Sequence, residues 1–128
     1  MIDTKLKDKV VIVTGASRGL GRAYAIEAAR LSAKVLAVDI LSCDDTISEI
    51  EAAGGTSIGA SMDVTKMETV TRVAEMAVDS FGGIDVLINN AALYGGLTGG
   101  RFDILDEDEW DRTMDVNVKG IWNCCKAV

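Results

Sequence analysis

Val10-Val11-Ile12-Val13-Thr14-Gly15-Ala16-Ser17-Arg18-Gly19-Leu20-Gly21 carries the strongest structural signal in the chain. Four β-branched apolar residues in a row suit a strand buried on both faces, as in a parallel sheet. Glycines follow at once, and an alanine-rich helical pattern runs from Leu20 to Leu31. Strand, glycine turn and helix in that order make a cradle for a diphosphate. Gly15 allows the tight turn, Gly19 lets the backbone approach the anion, and Gly21 lets helix and strand pack closely. The helix N-terminus adds unpaired N–H groups. The alternative is a strand-to-helix turn with no ligand. A P-loop is excluded, because no Gly-Lys-Ser/Thr follows.

Outward from this stretch the same alternation continues. Val35-Leu36-Ala37-Val38 and Val86-Leu87-Ile88 are further buried-strand runs, and Thr56 to Ser61 is a weaker one. Helices are expected from Leu20 to Leu31, over 44–53 before Gly54-Gly55, and after a capping box at Thr65 and Glu68. The third carries Met67, Val70, Ala74, Ala77 and Phe81 on one face and stops at Gly82-Gly83. Asp106 and Glu109 make a similar pairing. From Trp110 one stripe continues through Met114, Asn117, Val118, Ile121, Cys125 and Val128. The expected fold class is α/β, a Rossmann-like doubly wound parallel sheet in the order 3-2-1-4, with helices on both faces and only the first four strands present. The one long loop, Ala91 to Leu105, carries Gly95, Gly96, Gly99 and Gly100. Loops of that length are usually functional or mobile.

Composition narrows the function. The chain has 128 residues, 48% hydrophobic and 26% charged, which is globular. A net charge of −7 argues against nucleic acid or an anionic membrane as partner. There is no histidine, which excludes Ser–His–Asp and Cys–His catalysis and every histidine-containing zinc site; no metal site is expected. Cys43, Cys124 and Cys125 are odd in number and fit reduced thiols of a cytoplasmic protein. Nothing approaches eighteen unbroken apolar residues, and Met1 to Lys9 is no signal peptide.

Asp39 closes the second strand eighteen residues beyond Gly21. A carboxylate there can accept both hydroxyls of an adenosine ribose. It would repel a 2′-phosphate by a few kcal/mol at about 4 Å. Arg18 could reach such a phosphate, but Ile40 offers no second cation, so NAD is favoured over NADP. The alternative is an Asp that only caps a turn.

The Gly-x-x-x-Gly-x-Gly spacing, Asp63-Val64, Asn89-Asn90-Ala91 and Asn117 in Asp115-Val116-Asn117-Val118-Lys119-Gly120 together resemble the short-chain dehydrogenase/reductase family, in its order along the whole chain. The resemblance implies that Gly15, Ser17, Arg18, Gly19, Leu20 and Gly21 line the pyrophosphate and Asp39 the ribose. Asp63 and Val64 would contact adenine. The backbone of Asn90 and Ala91 would border the coenzyme, while Asn89 ties the strand end to its neighbours. Ala92 departs from the family's usual glycine. Asn117 sits on an apolar stripe, where an unpaired amide costs about 1–3 kcal/mol, so something must satisfy it. In the family it holds a water linking a catalytic lysine to solvent; the other reading is an Asn bonded only to backbone at a helix irregularity.

The family's catalysis also needs a serine and a Tyr-x-x-x-Lys pair. Tyr24 and Tyr94 are followed four residues on by Ala28 and Thr98, so neither starts one. The expectation is therefore the N-terminal part of an NAD-dependent oxidoreductase, inactive as these 128 residues alone, acting on a small secondary alcohol or ketone and forming a homo-oligomer. A non-catalytic dinucleotide-binding or subunit-assembly module is the alternative. The glycine spacing and Asn89-Asn90-Ala91 argue against a methyltransferase.

Overall fold

A computed structural model describes residues 4–128. Its elements alternate: β1 (Val10–Thr14), α1 (Gly19–Arg30), β2 (Lys34–Asp39), α2 (Asp44–Ala52), β3 (Thr56–Ser61), α3 (Met67–Phe81) and β4 (Val86–Ile88). A 3-10 turn (Phe102–Ile104), α4 (Glu107–Met114), a π turn (Asp115–Lys119) and α5 (Gly120–Ala127) complete the chain. The strands form one parallel sheet in the order β3-β2-β1-β4, as expected.

Alternate residues of β1 and β2 explain why their sequences are apolar without interruption. Val11, Val13, Val35 and Ala37 pack on one face with Ala25, Ala28 and Ala29 of α1 and Ile50 of α2. Val10, Ile12, Leu36 and Val38 pack on the other with Val70, Val73 and Ala77 of α3 and Cys124 of α5. Each such valine or isoleucine, fully buried, contributes about 1.5–3 kcal/mol of transfer free energy. The alanines let α1 lie close to the sheet. At the end of α3, Gly82 takes a left-handed φ of 90° and returns its N–H to Val78.

Two local expectations fail. The Thr65–Glu68 capping box does not form, because the Thr65 hydroxyl donates to Asp63 Oδ1 at 2.7 Å and α3 begins at Met67, with Lys66 as an N-cap lacking a side-chain bond. The stripe from Trp110 to Val128 is not the packing face. The buried and half-buried positions are Glu109, Thr113, Val116, Gly120, Asn123, Cys124 and Ala127, and they run at helical spacing straight through the π turn. Trp110, Met114, Val118 and Ile121 of the stripe are exposed, as is Trp122.

Candidate coenzyme site

The carboxyl ends of the four parallel strands lie along one edge of the sheet, and the strand order reverses between β1 and β4, which is where open α/β sheets form a ligand crevice. Gly15, at φ +68°, makes the first bend; a Cβ there would sit 2.8 Å from Asn90 Nδ2 and 3.0 Å from Ala91 Cα. On Gly21 a Cβ would strike the Gly15 carbonyl oxygen. Gly19 differs: at φ +58°, a Cβ would meet nothing within 4 Å. Gly15 and Gly21 are thus demanded by the protein's own packing, whereas Gly19 opens on free space.

Side chains at the ends of β1, β2 and β4 hold this bend. Asp39 Oδ2 accepts the Ser17 N–H and Oδ1 the Leu41 N–H, both at 3.1 Å. Asn90 Nδ2 donates to the carbonyls of Thr14 (3.1 Å) and Gly15 (3.2 Å). The buried Thr14 hydroxyl accepts from Asn90 N–H at 3.0 Å and Ala91 N–H at 2.9 Å. Asn90 thus ties the end of β4 to β1, and Asn89 ties it to α5, its Nδ2 reaching Cys125 Sγ at 3.6 Å.

A diphosphate fits the groups left over. Arg18, the N-cap of α1, makes no side-chain cap bond, and the first turn of α1 holds no acidic residue. The Ser17 hydroxyl is buried with no hydrogen-bond partner. Uncapped first-turn amides, an orphaned hydroxyl and the open space at Gly19 make up the donor set an anion needs. Arg18, Gly19 and Leu20 are exposed at its mouth.

Farther along the edge, Met62 N–H bonds the Asp39 carbonyl and brings Asp63 to the end of β3. Asp63 Oδ1 takes both the hydroxyl and the N–H of Thr65; these bonds, with Lys66 nearby, hold its carboxyl below the usual range against the opposing effect of burial. Val64 is 7% exposed, packed in the core and against Gly120, where a Cβ would come within 2.5 Å of Val64 Cγ2. Its side chain thus serves packing. Asn117 lies in the π turn and exchanges two bonds with Leu93: Oδ1 accepts the N–H at 2.7 Å and Nδ2 donates to the carbonyl at 3.1 Å.

A family model described as short chain dehydrogenase matches residues 9–128. The chain belongs to the short-chain dehydrogenase family. Among relatives of this short-chain dehydrogenase chain is the peroxisomal multifunctional enzyme A of Dictyostelium discoideum, 38% identical, matching 94% of this chain and 29% of its own length. An uncharacterized oxidoreductase of Listeria innocua is 36% identical over 96% of this chain and 49% of its own. A crystal structure assigned to the short-chain dehydrogenase/reductases, from Burkholderia xenovorans, superposes with a TM-score of 0.89 at 35% identity, covering 96% of this chain and 50% of that one. The chain spans about half the length, or less, of the curated relatives it matches. Among the described residues no helix is long and apolar enough to cross a membrane.

Several residues that position this short-chain dehydrogenase site escape a reading of sequence. Asn123, 3% exposed, donates to the Val64 carbonyl at 2.9 Å and so fixes the turn after β3. Thr46, fully buried, donates to the Ala16 carbonyl at 2.8 Å and braces the glycine bend from α2. Glu109, 9% exposed, accepts N–H groups of the long loop. Each is one polar residue with a distant partner, which no local spacing announces.

Proposed function

We propose that this chain forms the coenzyme-binding part of an NAD-dependent oxidoreductase that moves hydride between a small secondary alcohol or ketone and nicotinamide. The single observation that carries the reading is the uncapped glycine bend with the orphaned Ser17 hydroxyl beside it and Asp39 at its back. In this reading Gly15, Ser17, Arg18, Gly19, Leu20 and Gly21 surround the diphosphate. Asp39 accepts the ribose hydroxyls and repels a 2′-phosphate, and the exposed Ile40 beside it supplies no charge to reverse that preference. Asp63 and the Val64 backbone border adenine, and Asn90 and Ala91 form the wall towards the nicotinamide. Bound there, the coenzyme supplies the hydride donor or acceptor. Leu93 takes one acceptor site and one hydrogen of the Asn117 amide, which leaves one of each for a water.

The proton-transferring tyrosine and lysine are assigned to a segment beyond these 128 residues, because neither Tyr24 nor Tyr94 begins Tyr-x-x-x-Lys. The chain alone is accordingly assigned no turnover. A cytoplasmic location is inferred from the free thiols of Cys43 and Cys124; the Dictyostelium relative carries a peroxisomal name, and a fluorescent fusion distinguishes the two.

The exposed apolar face of Trp110, Met114, Val118, Ile121 and Trp122 favours a second reading, a subunit-assembly module without turnover, and also supports a homo-oligomer. The test is a fluorescence titration with NADH alongside cyclohexanone reduction, on the complete protein and on the 128-residue chain. NADH binding with turnover only by the complete protein is expected. NADH binding without turnover by either would favour the second reading, and no binding by either would end the first.

A further inference from the structure

Two side chains from the α4 region reach back over the loop that follows β4, and they grip it five residues apart. Asn117 holds Leu93 by both amide atoms. The Glu109 carboxylate accepts the Thr98 N–H at 2.6 Å and the Gly99 N–H at 3.3 Å. Glu109 is only 9% exposed, and charge-assisted bonds of this kind offset the cost of taking a carboxylate out of water. Between the grips lies the short turn Tyr94-Gly95-Gly96-Leu97, with Gly96 at φ +76° and Tyr94 88% exposed. Tyr94 is three residues past Ala91, so its Cα lies within about 11 Å of that strand end. Ala91 in turn borders the Gly15 bend. Left free, a loop with paired glycines would scatter Tyr94 over many positions; pinned at both ends, the backbone that carries it has a narrower range.

We infer that Glu109 is a positioning residue and that Tyr94 is the substrate wall it positions. The pinned turn flanks the crevice on the β4 side, opposite Asp39, and Tyr94 lies against the apolar flank of the alcohol or ketone. This rests on the oxidoreductase reading above.

The experiment has two arms. Amide hydrogen exchange and cyclohexanone kinetics are both read on the complete protein. In Glu109→Ala, Thr98 and Gly99 amides should exchange at least about tenfold faster, with Leu93 unchanged. KM for cyclohexanone should rise about tenfold, with kcat and the NADH Kd within about twofold. Glu109→Gln, which keeps one acceptor and the side-chain shape, should fall between, and it carries the test if the alanine variant does not fold. Tyr94→Ala should raise KM as much while leaving Thr98 exchange as it was. Unchanged exchange in Glu109→Ala overturns the clamp. Faster exchange with an unchanged KM in both variants overturns the wall. No turnover by the complete protein overturns the oxidoreductase reading and Tyr94's part in it, and the exchange arm still decides the clamp.

Discussion

Asp39 Oδ2 accepts the main-chain N–H of Ser17 at 3.1 Å, so the carboxylate assigned to the ribose also anchors the glycine bend. Its charge and its geometry can be separated by substitution. Asp39→Asn removes the charge but keeps one acceptor oxygen, and should erode the NAD preference while stability stays within about 1 kcal/mol. Asp39→Ala should erode the preference and also cost about 1–3 kcal/mol, since both the Ser17 and Leu41 amides lose their acceptor. NADH and NADPH dissociation constants with urea melts check both. A preference unchanged in both variants would confine Asp39 to the bend.

The two glycines of α1 should respond differently to alanine. Gly21→Ala drives a methyl into the Gly15 carbonyl and should destabilise by about 1–3 kcal/mol or more. Gly19→Ala meets no atom, and its cost is the left-handed backbone, about 1–2 kcal/mol. If the open space is the diphosphate's, that methyl should also weaken NADH binding beyond what stability explains. Thermal melts and an NADH titration of each variant separate the two effects.

The range of each interaction decides how far these elements are legible in the sequence. Apolar runs such as Val10–Val13 and the glycine spacing are local patterns, so the four strands and the bend can be read directly, and the strand order follows from the doubly wound fold class they indicate. The packing face of α4 and α5 cannot be read this way. It carries Glu109, Gly120, Asn123 and Cys124, which make no apolar stripe, while the apolar Trp110, Met114 and Val118 face outwards. Thr65 carries a capping sequence, but its hydroxyl is taken by Asp63, a competition decided by the tight turn at the end of β3. Asn90 and Asn89 are neighbours with the same chemistry, and only the position of β1 beside β4 selects Asn90 to bind Thr14 and Gly15.

Asn123 offers a stability test away from the bend. Asn123→Ala leaves the buried Val64 carbonyl without its donor and should cost about 1–3 kcal/mol. Urea unfolding measures the loss. A change under about 0.5 kcal/mol would mean that the turn after β3 does not depend on this bond.

The cysteines should titrate by burial. Burial, aided by Asp39 and Asp44, pushes the Cys43 thiol up to about 11, and burial does the same for Cys124. Iodoacetamide at pH 8 should therefore modify exposed Cys125 first and spare the other two until the chain unfolds. The unfolded thiols ionise near 9 and the folded ones near 11, so their contribution to stability is intact below 9 and falls as pH rises through that window. Urea midpoints at pH 8 and pH 10 should show a smaller drop in Cys43→Ala than in the parent chain.

The central claim is that the bend from β1 into α1 holds the diphosphate of a nucleotide coenzyme. The most direct measurement is an amide NMR titration of the chain with ADP-ribose, which carries the diphosphate and both riboses without the nicotinamide. The account predicts saturable shifts at Ser17, Arg18, Gly19 and Leu20 and smaller ones beside Asp39. Shifts confined to other parts of the chain, or none at millimolar ADP-ribose, would contradict it.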